Sequence, residues 1–341
     1  MKKLALTSVF ANVTYNDKNH RGLEAMFIKQ MLEERENASI DIVGYKNRNV
    51  KDLDFYVNYP DTDFSEYDGV LIQLSTPNFF GGVMGEHSEK ICNDLAKYKG
   101  KIFILVNDPR IPPLNYAEVI HNRFQKCGES IQGWNRIIEE ATYLFPGKDI
   151  SKFLGWQPKN WMRLDWFTYI FKQRFTSSGM IDLDSEVLEV PEKEWDIVYY
   201  GDRRGSFREG QIRKYFSEND DMKKLLIGYK TDKVRSEFIK KLSHSDLMDK
   251  LDSVKVSLII GDEEHLDNVT TYRFYETLAS TSLAAISIEY DPNRELIEDP
   301  VLRDLLYVDS PGDIKRLSDS YSIDLINRQR KELKRIFDMA G

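Results

Sequence analysis

Arg273 and Glu276 stand three apart in the run Tyr272-Arg273-Phe274-Tyr275-Glu276-Thr277. On a helix that spacing puts both side chains on one face. A guanidinium near a helix start can hold phosphate, and a carboxylate one turn further on can hold a ribose diol. Just upstream, Ser257-Leu258-Ile259-Ile260-Gly261-Asp262 reads as a buried strand ending in Gly-Asp, with His265 in the polar loop that follows. This is the pairing a nucleotide-sugar site needs.

A second cationic group lies at Gly201-Asp202-Arg203-Arg204-Gly205-Ser206-Phe207-Arg208, which follows a strand and opens a helix. Gly201 and Gly205 let the backbone approach a ligand. Arg204 and Arg208, four apart, can clamp a diphosphate bidentately. The stretch is neither a P-loop nor GxGxxG. Alone it reads equally well as a solvated basic turn, and Arg273 with Glu276 tips it toward phosphate. Asp108 follows the apolar run Lys101–Val106 (KIFILV), where a carboxylate can take a proton from an attacking hydroxyl. Before Pro109 it also suits a plain turn. Asn78-Phe79-Phe80-Gly81-Gly82 permits a tight loop with two wedging rings, or a hydrophobic loop tucked on the core. Glu24, early on the first long helix, can meet sugar hydroxyls or serve the helix dipole. Bases and aromatics interleave from Lys159 through Trp161, Arg163, Trp166, Lys172 and Arg174, as on a nucleic-acid surface or an interdomain helix. The five histidines form no ligand cluster, and Cys92 and Cys127 fit no zinc spacing, so no metal-ligand set is expected.

Strands and helices must alternate to hold these residues. Hydrophobic periodicity predicts strands over 4–10, 40–43, 69–74 and 101–106 and helices over 22–36 and 84–98. The near-continuous apolar run KIFILV suits a parallel strand covered on both faces. Residues 111–180, with Pro112, Pro113, Pro146 and Pro158, read as long active-site loops and irregular helices. Alternation then resumes: strands over 196–200, 225–229, 256–260 and 284–288, with helices from about 208 and over 233–242, 245–251, 271–280 and 323–339. The expectation is an α/β chain. An N-terminal Rossmann-like domain spans 1–180, a C-terminal nucleotide-sugar-binding Rossmann-like domain spans 190–320, and a final helix over 321–341 returns to the first domain. Ligands in such sheets sit beyond the carboxyl ends of strands, here Asp108, Gly201 and Gly261-Asp262. Two doubly wound domains with a central cleft suggest the GT-B architecture.

With 341 residues, both domains can have their own core. The net charge of −8 excludes a protein coated in basic surface, so any nucleic-acid contact must be a local patch. Two cysteines suit a reducing compartment. Met1-Lys2-Lys3-Leu4-Ala5-Leu6 reads as a first strand rather than a signal peptide. No run approaches the roughly 18 apolar residues of a membrane span.

Taken together, the blocks NFFGG at 78–82, KIFILVNDPRIP at 101–112, DIVYYG with its arginine turn at 196–208, LIIGDEEHLDN from 258 and YRFYETLAS ending at 280 resemble the DNA β-glucosyltransferases of T-even-type bacteriophages. Their order and spacing are kept over nearly the whole chain. The resemblance implies an inverting, UDP-sugar-dependent glycosyltransferase that moves a sugar, glucose first, to the hydroxymethyl group of modified cytosine in phage DNA. It implies Asp108 as the general base and Glu24 and Asp262 as sugar contacts. Arg204, Arg208 and Arg273 become phosphate ligands beside Gly201, Glu276 the ribose ligand, and Leu242 the point where backbone reads uracil. The acceptor side takes Asn78, Phe79, Phe80, Gly81, Gly82 and Arg110. A divalent cation (Mg2+ or Mn2+) assists, the partner is double-stranded DNA, and the setting is a monomer in the cytoplasm of the infected host. The chain departs from the pattern in places. A one-residue gap lets Arg203 take the place of Arg204, His265 stands where the family has tyrosine, and Pro109 replaces an aliphatic residue. Other readings are the same chemistry with a sugar such as arabinose, a transferase with a non-DNA acceptor, or a silent binding module.

Overall fold

The computed structural model describes residues 2–8, 21–44, 56–58, 62–74, 94, 95, 97–106, 137–177, 181–201, 205–216, 221–231 and 233–340. Contacts divide the chain into two compact units, Met1–Ile170 and Phe171–Gly341.

The first unit is built on a parallel sheet. Its strands are β1 (Lys2–Ser8), β2 (Ala38–Gly44), β3 (Tyr56–Asn58), β4 (Gly69–Leu74), β5 (Lys101–Val106), β6 (Thr142–Phe145) and β7 (Asn160–Arg163), in the order β3-β2-β1-β4-β5-β6-β7. Helix α1 (Arg21–Glu36) crosses from β1 to β2, and Ile28, Met31 and Leu32 form its buried face. KIFILV becomes β5, between β4 and β6, with Ile104, Leu105 and Val106 fully buried. The segment expected to be long loops and irregular helices holds α2 (Ile150–Leu154) and α3 (Trp166–Ser177) among its described residues, and also two strands, β6 and β7. Proline spacing hid them: Pro146 and Pro158 fall just outside the strands rather than within them. Asp149 caps α2 by accepting from Ser151 and Lys152 backbone N–H groups, and Gly155 ends it at φ 74°. Of the helix expected over 84–98, residues 94, 95 and 97 are described and helical.

The second unit repeats the plan. Strands β8 (Trp195–Tyr200), β9 (Lys224–Ile227), β10 (Glu237–Ile239), β11 (Val254–Ile259), β12 (Leu283–Ser287) and β13 (Tyr307–Val308) lie parallel in the order β10-β9-β8-β11-β12-β13. Strand order therefore reverses between β8 and β11, the switch point at which doubly wound sheets open a crevice. Helices α4 (Gly205–Phe216), α5 (His244–Asp252), α6 (Tyr272–Ala279), α7 (Pro300–Leu306), α8 (Pro311–Asp319) and α9 (Ile323–Ala340) complete it. The helix expected over 233–242 is not there: Glu237, Phe238 and Ile239 pair with Leu225, Leu226 and Ile227 as an edge strand. Ladder bonds to β9 outweigh the helical periodicity of a short lysine-rich run.

Helix α9 was expected on the first domain. The packing the structure gives it is with α6, α7 and β12 of the second unit. Leu325, Ile326, Leu333 and Phe337 bury its apolar stripe there. Gln329, also fully buried, donates to the Thr277 and Ser282 carbonyls at 3.2 and 2.9 Å and accepts from Ala284 N–H at 2.9 Å. These bonds fix the end of α6 against the start of β12, and α6 carries Arg273 and Glu276.

Candidate nucleotide-sugar site

The described site residues gather at the carboxyl ends of β8 and β11. Tyr200 ends β8, and Gly201 continues at φ 129°, a backbone conformation that favours glycine. A Cβ on Gly201 would stand 2.7 Å from Arg273 Nη1. The glycine was expected to admit a ligand; the group that approaches it here is a guanidinium. Arg273 Nη2 donates to the Ile260 carbonyl at 2.9 Å, Nη1 reaches the Tyr200 carbonyl at 3.5 Å, and the guanidinium lies 5.4 Å over the Tyr199 ring. One cation thus bridges the two strands on either side of the switch point. Its Nε has no hydrogen-bond partner among the described residues.

The start of α6 is pinned to place that side chain. Thr271 N–H donates to the Tyr290 hydroxyl at 2.6 Å, and that hydroxyl donates to the Val269 carbonyl at 3.1 Å. The Tyr200 hydroxyl donates to the Arg273 carbonyl at 3.2 Å. One turn on, Glu276 is 7 % exposed, and its Oε1 lies 3.2 Å from His244 Nε2 on α5. Burial alone would raise the Glu276 carboxyl. Contact with His244, the charge of Arg174 and the Tyr200 hydroxyl outweigh burial and hold it below its ordinary value. Arg174, read from sequence as part of a nucleic-acid surface or an interdomain helix, thus faces this buried carboxylate, carried by α3, whose Phe171 stacks on Tyr275 at 4.8 Å.

Arg208 and Asp262 join the site as an ion pair, Nη2 to Oδ2, with residue exposures of 4 % and 8 %. A buried pair of this kind is costly to break from one side, by about 3–5 kcal/mol. Asp262 Oδ1 has no partner among the described residues. After it the chain turns, His265 N–H donating to the Asp262 carbonyl at 2.9 Å. The turn brings ligand atoms of Asp262, Glu264 and His265 within 4.8 Å of one another. Two carboxylates and an imidazole around a buried carboxylate oxygen suit a divalent cation. The sequence reading named no metal ligands, because residues this close in a turn look like a polar loop. Leu242, between β10 and α5, is half-buried against the cluster of Val198, Tyr200 and Leu225.

Gly201, Arg208, Leu242, Asp262, Arg273 and Glu276 thus all fall in the second unit. Glu24 lies on α1 of the first, with its backbone but not its side chain described. Asp108, Arg110, Arg203, Arg204 and Asn78, Phe79, Phe80, Gly81 and Gly82 lie outside the described residues. Sequence reasoning missed His244, one of five histidines that form no ligand cluster in the sequence. Its signal was its place two residues after Leu242, at the start of a capped helix.

No protein-family model matches the chain. Over 315 residues it is 25% identical to the DNA beta-glucosyltransferase of Enterobacteria phage T4, covering 87% of this chain and 84% of that protein. Its fold matches the crystal structure of the DNA-modifying enzyme beta-glucosyltransferase, solved with and without uridine diphosphoglucose. The TM-score is 0.73 at 20% identity, over 99% of this chain and 96% of the other. The T4 enzyme in complex with UDP and Mn2+ matches at a TM-score of 0.66 and 21% identity, over 99% and 98%. The GT-B architecture expected from the sequence is the fold of this chain.

Proposed function

We propose that this chain, a glycosyltransferase of the DNA β-glucosyltransferase type, moves glucose from UDP-glucose to the hydroxymethyl group of modified cytosine in double-stranded phage DNA. The observation that carries the reading is Arg273, a guanidinium fixed by two strand-end carbonyls at the switch point, with Gly201 leaving it room. The kinship with the T4 enzyme across both halves of the chain supports the same donor chemistry.

The second unit holds the donor. Arg204, Arg208 and Arg273 oppose the charge that grows on the diphosphate, each worth about 2.7–4 kcal/mol if well aimed. Arg208 does so by exchanging or sharing its Asp262 partner. Glu276 receives the ribose hydroxyls, the backbone at Leu242 reads uracil, and Asp262 and Glu24 meet the sugar. A bound divalent cation supplies further neutralisation of the leaving diphosphate, and Asp262, Glu264 and His265 are the described residues that fit it.

The first unit serves the acceptor. A base in duplex DNA must leave the stack to react, and Asn78, Phe79, Phe80, Gly81, Gly82 and Arg110 are the residues assigned to the DNA. Asp108 takes the proton of the acceptor hydroxyl, typically worth about 10²–10⁴-fold. The hydroxyl oxygen bonds to the anomeric carbon as the bond from that carbon to the phosphate oxygen breaks, and UDP leaves with the electron pair. One such displacement inverts the anomeric centre. The enzyme acts as a monomer in the cytoplasm of the infected host.

A transfer assay with several UDP-sugars on hydroxymethylated and plain DNA tests the proposal. Glucosylated product on hydroxymethylated DNA alone is expected. Transfer of a pentose such as arabinose would change the sugar, and UDP-sugar binding with no turnover on any DNA would sink the reading.

A further inference from the structure

We propose that His244 is a positioning residue for Glu276 and so sets the preference of the donor site for a ribonucleotide; the inference rests on Glu276 as the ribose ligand. His244 opens α5 and is 8 % exposed, and its Nε2 stands 3.2 Å from Glu276 Oε1. Phe175 packs beside the imidazole, ring centroids 6.4 Å apart. Glu276 comes from α6, so the contact spans two helices on either side of β11 in sequence.

Three observations make this more than a filled space. A carboxylate as buried as Glu276 needs polar neighbours to stay ionised, and His244 Nε2 stands 3.2 Å from its Oε1. A carboxylate offers about four lone-pair sites, so such a neighbour fixes its rotamer and leaves capacity for two hydroxyls. The start of α5 is itself held: the Ser243 side chain accepts from Asp246 N–H at 3.2 Å, and Leu247 N–H donates to the Ser243 carbonyl at 2.9 Å. Leu242 directly precedes this cap. The His244–Glu276 contact therefore ties the turn that meets the base to the carboxylate that meets the sugar of the nucleotide.

Calorimetry with UDP and 2′-deoxy-UDP on the full chain provides the test, with His244→Leu, His244→Gln and His244→Asn beside wild type. Wild type should favour UDP by about tenfold or more, as expected for hydrogen bonds to a charged group. His244→Leu should bring the two affinities within about threefold. His244→Gln, whose amide reaches the place of Nε2, should keep most of the preference, and the shorter Asn should not. A merely structural histidine would weaken both ligands alike and leave their ratio unchanged, and that result overturns the inference. If His244→Leu does not fold, the Gln and Asn pair decides: equal ratios in both also overturn it. UDP binding by wild type with no ribose preference removes Glu276 and His244 from this role while leaving the donor site. No UDP binding by wild type removes the proposed function itself.

Discussion

Arg273 stays cationic at any working pH, so its contribution is position and field. In its proposed role as general base, Asp108 instead changes protonation during the reaction. The two should therefore fail differently. Arg273→Ala is expected to lower kcat by about 10²–10³ and to raise the KM for UDP-sugar, because a preorganised donor is lost from ground state and transition state together. Asp108→Asn is expected to lower kcat by about 10²–10⁴ with the Kd for UDP-sugar within about twofold. Steady-state kinetics with calorimetry on both variants checks this; ordinary turnover in Asp108→Asn would end its assignment as the base. At this scale the sequence was informative where chemistry is local. Arg273 and Glu276 share a helix face, and Gly201 follows a strand, so spacing revealed them. The Arg208–Asp262 pair joins residues from α4 and the β11 end, and the His244–Glu276 contact joins two helices. No local pattern encodes such pairs.

Helix α6 owes its aim to its neighbours: Tyr290 at its start, and Gln329 of α9 at its end. Lys193, just before β8, makes a similar brace. Its Nζ donates to the Asp252 carbonyl at 2.6 Å and to the Thr281 hydroxyl at 2.9 Å, tying the end of α5 to the turn before β12. Burial pushes its pKa down to about 8, against a smaller opposing pull from Asp252. Between about pH 8 and the ordinary lysine value of 10.5, the unfolded chain holds a proton that the folded one has released. Stability from this group then rises with pH across that window and is flat below it. The stability difference between wild type and Lys193→Met should shift toward wild type from pH 8 to 10.5 in denaturant titrations. A constant difference would contradict the depressed pKa. Elements with continuous apolar runs, such as β5, were legible to the residue. Those at 142–145 and 160–163 were not, because four-residue strands between prolines carry too little periodicity. The run 233–242 misled for the opposite reason: its pattern was helical, and the partner that made it a strand was β9.

Two sheets that share one strand order over six strands, the first adding a seventh at its edge, each reverse between their first and fourth strands in chain order, and they define the molecule at the largest scale. Alternation of strands and helices made the doubly wound class legible, but strand order is set by pairing between distant segments and had to come from the structure. To act on DNA as proposed, a body of net charge −8 must concentrate its cations where phosphates lie. Each phosphate neutralised adds about −0.9 to the slope of log affinity against log salt. DNA binding is expected to show a slope of roughly −3 or steeper, measured between about 50 and 200 mM salt; a flat response would point to another acceptor.

The donor site at the β8–β11 switch point is the claim from which the rest follows. A crystal structure of the chain with UDP addresses it directly. The diphosphate is expected within hydrogen-bonding distance, about 2.7–3.2 Å, of the Arg273 and Arg208 guanidinium groups, with the ribose against Glu276. A nucleotide seated elsewhere, with the Arg208–Asp262 pair and the Arg273 bridge undisturbed, would contradict the account.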